Sequence, residues 1–307
     1  MESLGTAFAR AAVWVTGAPA STAQIPLVIG AAAAMLLLVR MALRRRLSVP
    51  DILAARPAVE RDAATVTGRI SAGTHDDKES AVLLCEDRRS PASEAFRVLR
   101  TRLLLMAQEG KLRHVLITSA GPGEGKTMIS ANVAVAAAHA GRKVLLVDAD
   151  LPRPRLCSAF HVANDPGLVQ LLHENGAVTE EVLRRFCQST SVPNLTVLPA
   201  GSPAGGAAEL FAGARMLQIV AAFGAAYDLV VYDSPPVLSV ADPTVLAGHV
   251  DGILLVVRVG EYPRDAIQQA HRELAAVHAK VIGVVLNGVE SGSQGSYYGH
   301  YRYAYHD

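Results

Sequence analysis

The densest chemistry in this 307-residue chain is AGPGEGKT at residues 120–127, followed by a helix-like run from Met128 to residue 139. Gly123 and Gly125 allow backbone N–H groups to curl toward an anion, and the N-terminus of the following helix adds partial positive charge. Lys126 is placed to reach β- and γ-phosphates, and the Thr127 hydroxyl to ligate Mg2+. Ala120 stands where the usual pattern has its first glycine. Gly121, Pro122, Gly123, Glu124, Gly125, Lys126, Thr127 and Met128 are therefore the candidate ATP contacts, with ATP and Mg2+ the expected cofactors. Two further carboxylate groups follow strand-like runs, Asp148 and Asp150 after residues 144–147 and Asp233 after residues 229–232. Any one of them alone reads more simply as a helix cap or turn former. Together with the phosphate loop they read as groups that handle a metal and a proton. Thr127, Asp150 and Asp233 are the expected metal set, and Asp148 the base for a nucleophilic hydroxyl. Lys126, Asp148, Asp150 and Asp233 form the candidate catalytic set.

These residues need a scaffold that brings strand ends together. Short runs of Val, Ile and Leu recur at residues 115–118, 144–147, 195–198, 229–232, 253–257 and 281–286, most separated by helix-length stretches. Runs without alternation belong to strands buried on both faces, so the expected fold is α/β, a doubly wound, mostly parallel sheet of the P-loop type. Ligands bind such sheets outside the carboxyl ends of the strands, where the loop and all three carboxylates fall. Ser90-Pro91 and the apolar spacing after it predict a helix to about residue 108. The folded domain is expected over residues 90–290. Residues 47–89, with Pro50, Pro57 and no sustained period, read as a linker.

The apolar fraction of 50% suits one sizeable domain, and a formal charge of +1 gives no pull toward nucleic acid. Cys85, Cys157 and Cys187 form no CxxC pair and read as reduced thiols. Residues 25–39, IPLVIGAAAAMLLLV, carry no charge, and the apolar run continues past Arg40. A helix over this stretch reaches roughly 30 Å, the thickness of a bilayer core. Residues 24–46 are thus the expected transmembrane helix, and Arg44, Arg45 and Arg46 put its C-terminal side in the cytoplasm. Residues 1–23 would be a short extracytoplasmic N-terminus. At the other end, residues 291–307 are rich in Gly, Ser, Tyr and His without core periodicity and read as a mobile tail. Tyr297, Tyr298, Tyr301, Tyr303 and Tyr305 are five of the chain's eight tyrosines, a concentration that marks a modification site rather than core.

SPASEAFRVLRTRL, SAGPGEGKT, LLVDADLPRP, YDLVVYDSPPVLSVAD, GILLVVRVG, GVVLNGV and YYGHYRYAYHD occur in that order over residues 90–307. In these motifs the chain resembles the bacterial tyrosine autokinases of capsule and exopolysaccharide synthesis, within the larger class of chromosome- and septum-positioning ATPases. The resemblance implies an ATP-dependent protein-tyrosine kinase. Many members of that family have two spans and others none, whereas the one apolar run at residues 24–46 points to a single-pass protein of the bacterial inner membrane with its catalytic domain in the cytoplasm. Lys126 and Thr127 would belong to Walker A, Asp148 and Asp150 to Walker A′, and Asp233 to Walker B. Asn287 would lie near the adenine, although a strand-end Asn is equally a turn residue. The tail tyrosines would be autophosphorylated. Glu94, Arg97 and Arg100 would join subunits of a homo-oligomeric ring; the same spacing also allows a Glu94–Arg97 pair within one helix. Implied partners are a polysaccharide co-polymerase in the membrane and a cognate tyrosine phosphatase, with no nucleic acid. Pro152 departs from the family, which usually has a basic residue there. The rivals are a ParA- or MinD-like positioning ATPase, whose signature lysine would fall at Gly121, and a nucleotide-gated membrane scaffold without phosphotransfer. No HRD or DFG motif points to the eukaryotic-type kinase fold.

Overall fold

The computed structural model describes residues 66–71, 91–202 and 206–289. All of them lie in the second of two units into which the chain divides, residues 1–46 and 47–307. The order begins β1 (Val66–Ser71), α1 (Pro91–Gln108), β2 (His114–Ser119), α2 (Lys126–His139), β3 (Val144–Asp148) and α3 (Leu156–Phe160). It continues with α4 (Leu168–His173), α5 (Glu180–Phe186), β4 (Gln188–Ser189), β5 (Leu195–Leu198), α6 (Ala207–Ala212) and α7 (Ala214–Ala226). The last elements are β6 (Leu229–Asp233), α8 (Asp242–Ala247), β7 (Gly252–Arg258), α9 (Arg264–Ala276) and β8 (Val281–Val289).

The strands form one eight-stranded sheet in the order β1-β8-β7-β2-β6-β3-β5-β4. Every pairing is parallel except that of β4 with β5. All six apolar runs expected as strands are strands, and the predicted first helix is α1. Residues 66–71 correct the reading of 47–89 as linker throughout. VTGRIS runs alongside β8, with Val66 opposite Gly283 and Arg69 opposite Leu286. An edge strand is paired on one side only and needs no continuous apolar run, so pattern alone passes it over. Two-residue β4, at the other edge, escaped for the same reason. No helix among the described residues is long and apolar enough to cross a membrane. Residues 24–46, expected to do so, lie outside the described residues, as do the tail tyrosines.

Strand residues alternate between two apolar layers. Val115, Ile117, Val144, Leu146, Val231 and Val256 face α1 and α2, while Leu116, Leu145, Val147, Val230 and Leu255 face α7, α8 and α9. Helix α1 contributes the buried stripe Phe96, Leu99 and Leu103, spaced three and four residues apart. Burial of each such side chain stabilises the fold by about 1.5–3 kcal/mol. Helix α2 is buried along most of its length, and its small residues, from Ala131 to Ala138, let its backbone lie close to the sheet. That close seat fixes where its N-terminus, and hence the phosphate loop, stands.

Candidate nucleotide and phosphotransfer site

Strand β2 ends at Ser119, the loop occupies residues 120–125, and α2 opens at Lys126. Gly123 and Gly125 have φ of 82° and 89°, left-handed values that a residue with a Cβ adopts only under strain. Side chains bind the carbonyls of residues 121–124. The Ser119 hydroxyl donates to Gly121 O at 2.7 Å and the Tyr262 hydroxyl to Pro122 O at 3.0 Å. Arg258 Nη1 donates to Gly123 O at 3.2 Å and Asn287 Nδ2 to Glu124 O at 2.9 Å. The fully buried Glu124 carboxylate braces the interior, accepting from the Gly121 N–H at 2.8 Å and the Arg258 N–H at 3.1 Å. Burial pushes its pKa up, and those two backbone donors pull it back. The N–H groups of residues 123–127 have no hydrogen-bond acceptor among the described residues. They form the donor set that an anion at a helix N-terminus requires.

Asp148 and Asp233 stand opposite each other in register at the ends of neighbouring strands β3 and β6. Asp148 is fully buried; its Oδ2 accepts from the N–H groups of Arg155 at 3.0 Å and Leu156 at 2.9 Å, while Oδ1 has no partner. Asp233 Oδ1 accepts from the Ser130 hydroxyl at 3.0 Å, and its Oδ2 is likewise buried without a partner. Burial first, then the charge of Asp233, pushes Asp148 up to about 8. Burial raises Asp233 to about 6, against the lowering effect of the Thr127 hydroxyl and Lys126. Half-buried Asp150 is also raised by burial and is held down chiefly by Lys126. Lys126 is 7% exposed; burial lowers its pKa, and Asp233 and Asp150 oppose that shift.

A buried carboxylate oxygen without a partner, such as Asp233 Oδ2, is costly unless a cation serves it. With the Thr127 hydroxyl and the Asp150 carboxylate, the orphaned Asp233 oxygen makes a hard-oxygen set that fits Mg2+. Among the described residues no three His, Cys, Asp or Glu side chains converge as a protein-only cage. A shell completed by waters and phosphate oxygens is the usual habit of Mg2+.

The structure therefore brings Lys126, Thr127, Asp148, Asp150 and Asp233 together at the carboxyl ends of β2, β3 and β6. Asn287, expected near the adenine, has its side chain committed to the loop, so close to Gly125 that a Cβ there would lie 2.3 Å from Nδ2. Glu94, Arg97 and Arg100 lie on α1, which packs against α2 and β1. There Glu94 and Arg97 are ion-paired with each other, and Arg100 Nε is buried without a partner. Near the Pro152 departure, the charges of Arg153 and Arg155 still act on Asp150. Sequence reasoning missed Ser119, Ser130, Arg258 and Tyr262. Ser130 had a signal, since it follows Lys126 by one helical turn on α2. The others act from packing alone.

Fold and loop together define a P-loop ATPase domain, and residues 113–284 match the AAA domain family. The chain is 36% identical over 220 residues to the tyrosine-protein kinase YwqD of Bacillus subtilis, covering 72% of this chain and 90% of that one. With the tyrosine-protein kinase Etk of Escherichia coli K12 it shares 32% over 215 residues, 70% of this chain but 29% of the relative. The solved kinase domain of Escherichia coli ETK superposes with a TM-score of 0.70 at 26% identity, covering 82% of this chain and 98% of that domain. The chain belongs to the bacterial tyrosine-protein kinases built on this ATPase domain.

Proposed function

We propose that the chain is a membrane-anchored, MgATP-dependent tyrosine autokinase of exopolysaccharide or capsule export, with Tyr297, Tyr298, Tyr301, Tyr303 and Tyr305 as its acceptors. The observation that carries this reading is the convergence of Lys126 with Asp148, Asp150 and Asp233 beside a loop whose free N–H groups suit phosphate. In the reaction the tyrosine oxygen attacks the γ-phosphorus, the bond to ADP breaks, and Asp148 takes the hydroxyl proton. The environment of Asp148 supports that role: one oxygen is anchored by two backbone donors, the other is uncommitted, and, once bound Mg2+ favours its ionised form, burial makes that carboxylate a stronger proton acceptor. Lys126 stabilises charge growing between the β- and γ-phosphates. Mg2+, held by Thr127, Asp150 and Asp233, would supply the dication that neutralises the phosphates.

The positioning-ATPase reading is disfavoured because its signature lysine would stand at Gly121, where the Tyr262 ring leaves no room for a side chain. Residues 24–46 would anchor the chain in the inner membrane as a single span, leaving the catalytic domain in the cytoplasm. Glu94, Arg97 and Arg100 would join subunits in a ring, with a membrane co-polymerase and a tyrosine phosphatase as partners. Incubation with labelled ATP and phosphoamino-acid analysis tests the activity. Phosphotyrosine is expected in the wild type, with Lys126→Met and Asp148→Asn each lowering its rate by about a hundredfold or more while still folding. Undiminished phosphotyrosine in both variants overturns the site, and a wild type that binds ATP without forming any favours the scaffold. Deleting residues 1–46 should release a folded ATP-binding domain from membranes; retention without any partner present counts against the anchor.

A further inference from the structure

Four consecutive carbonyls, those of residues 121–124, are held by four side chains, and three of these come from one side of the loop. Arg258 ends β7, Asn287 belongs to β8, and Tyr262 lies in the connection from β7 to α9. A peptide plane is rigid, so a carbonyl held on one side aims its neighbouring N–H to the other. Tyr262 makes the most exacting of these contacts. A Cβ placed on Gly121 would lie 2.1 Å from Cζ, 2.3 Å from the hydroxyl oxygen and 2.4 Å from Cε1 of that ring. The phenol thus rests directly on the Gly121 backbone while its hydroxyl binds the next carbonyl, Pro122 O, at 3.0 Å.

We propose that Tyr262 is a positioning residue of the nucleotide site: a latch from the β7–α9 connection that holds the outer turn of the phosphate loop in its binding shape and so sets MgATP affinity. The inference rests on reading residues 120–127 as that site. A loop that spends less time in the competent shape binds more weakly by that fraction, with little change in chemistry once nucleotide is bound. Loss of one neutral hydrogen bond corresponds to about 2- to 10-fold in affinity. The same geometry explains Gly121, because any side chain there must displace the ring. Gly121→Ala and Tyr262→Ala therefore break one and the same latch.

The test is titration of the full-length chain with Mg2+ and a non-hydrolysable ATP analogue, together with KM and kcat for labelled ATP. Tyr262→Phe should bind the analogue about 2- to 10-fold more weakly. Tyr262→Ala and Gly121→Ala should each lose at least as much, and the double variant no more than either single one. KM for ATP should rise in step, with kcat within about twofold. The melting temperature without nucleotide should fall by no more than about 4 °C, since Tyr262 is only half-buried. Wild-type affinity in Tyr262→Phe and Tyr262→Ala overturns the latch, as do losses that multiply in the double variant. Failure of the wild type to bind the analogue, or equal binding by Lys126→Met, instead overturns the nucleotide site itself and the latch with it.

Discussion

Asp148 and Asp233, in register on adjacent strands, each spend one oxygen on the protein and leave one buried oxygen without a partner. Without a cation, this arrangement favours holding a proton. Both carboxyls are raised above their unfolded value of 3.8, Asp148 to about 8 and Asp233 to about 6. A raised carboxyl contributes stability that is complete below its unfolded pKa and is lost as pH climbs through its folded one. The Mg2+-free protein is therefore expected to become less stable between about pH 4 and about pH 8. Asp148→Asn should flatten that decline and raise the melting temperature at pH 8 by at least about 2 °C. Thermal melts across this range, with and without Mg2+ and nucleotide, measure it; a variant melting below wild type at pH 8 without Mg2+ contradicts the account. The acids and the lysine were legible in the sequence because each sits at the end of an apolar strand or opens the helix after one. Ser119, Arg258 and Tyr262 were not, since what they bind is decided by how the loop packs against β7 and β8.

Helices α1 and α2 do different work on the same face of the sheet. Helix α1 holds on through Phe96, Leu99 and Leu103, and Leu99→Ala should cost about 2–5 kcal/mol because it opens a cavity with no exposed side to collapse from. Helix α2 instead relies on smallness. Ala134→Leu would force methylenes between helix and sheet at a position with no exposure, with an expected loss of about 1–3 kcal/mol and a displaced Lys126. Denaturant unfolding measures both losses. Nucleotide titration separates them, because only the α2 variant should weaken binding in the folded state. The central strands were readable as apolar runs for the same physical reason that makes them central, burial on both faces. Edge strands β1 and β4 carry no such mark, because half their hydrogen bonds and one flank are missing.

Across the whole molecule, the formal charge of +1 makes modification of the tail a large perturbation. Each phosphate adds about −1.5 to −2, so even one on residues 291–307 reverses the sign of the chain, and several oppose return to an acidic nucleotide site. If α1 joins subunits in a ring as proposed, that ring should then loosen. Light scattering on protein lacking residues 1–46, dephosphorylated and again after ATP treatment, is expected to give a smaller mass in the second case. Equal masses count against the switch, and an assembly that survives Arg97→Ala with Arg100→Ala counts against α1 as the contact. The place of β1 bears on how any soluble form should be cut. The apolar pattern invites truncation at residue 90, but that removes the strand lying along β8 and leaves a nine-residue edge bare. A bare edge of that length is a template on which other chains add strands, so protein starting at residue 90 should aggregate where protein starting at residue 47 stays dispersed.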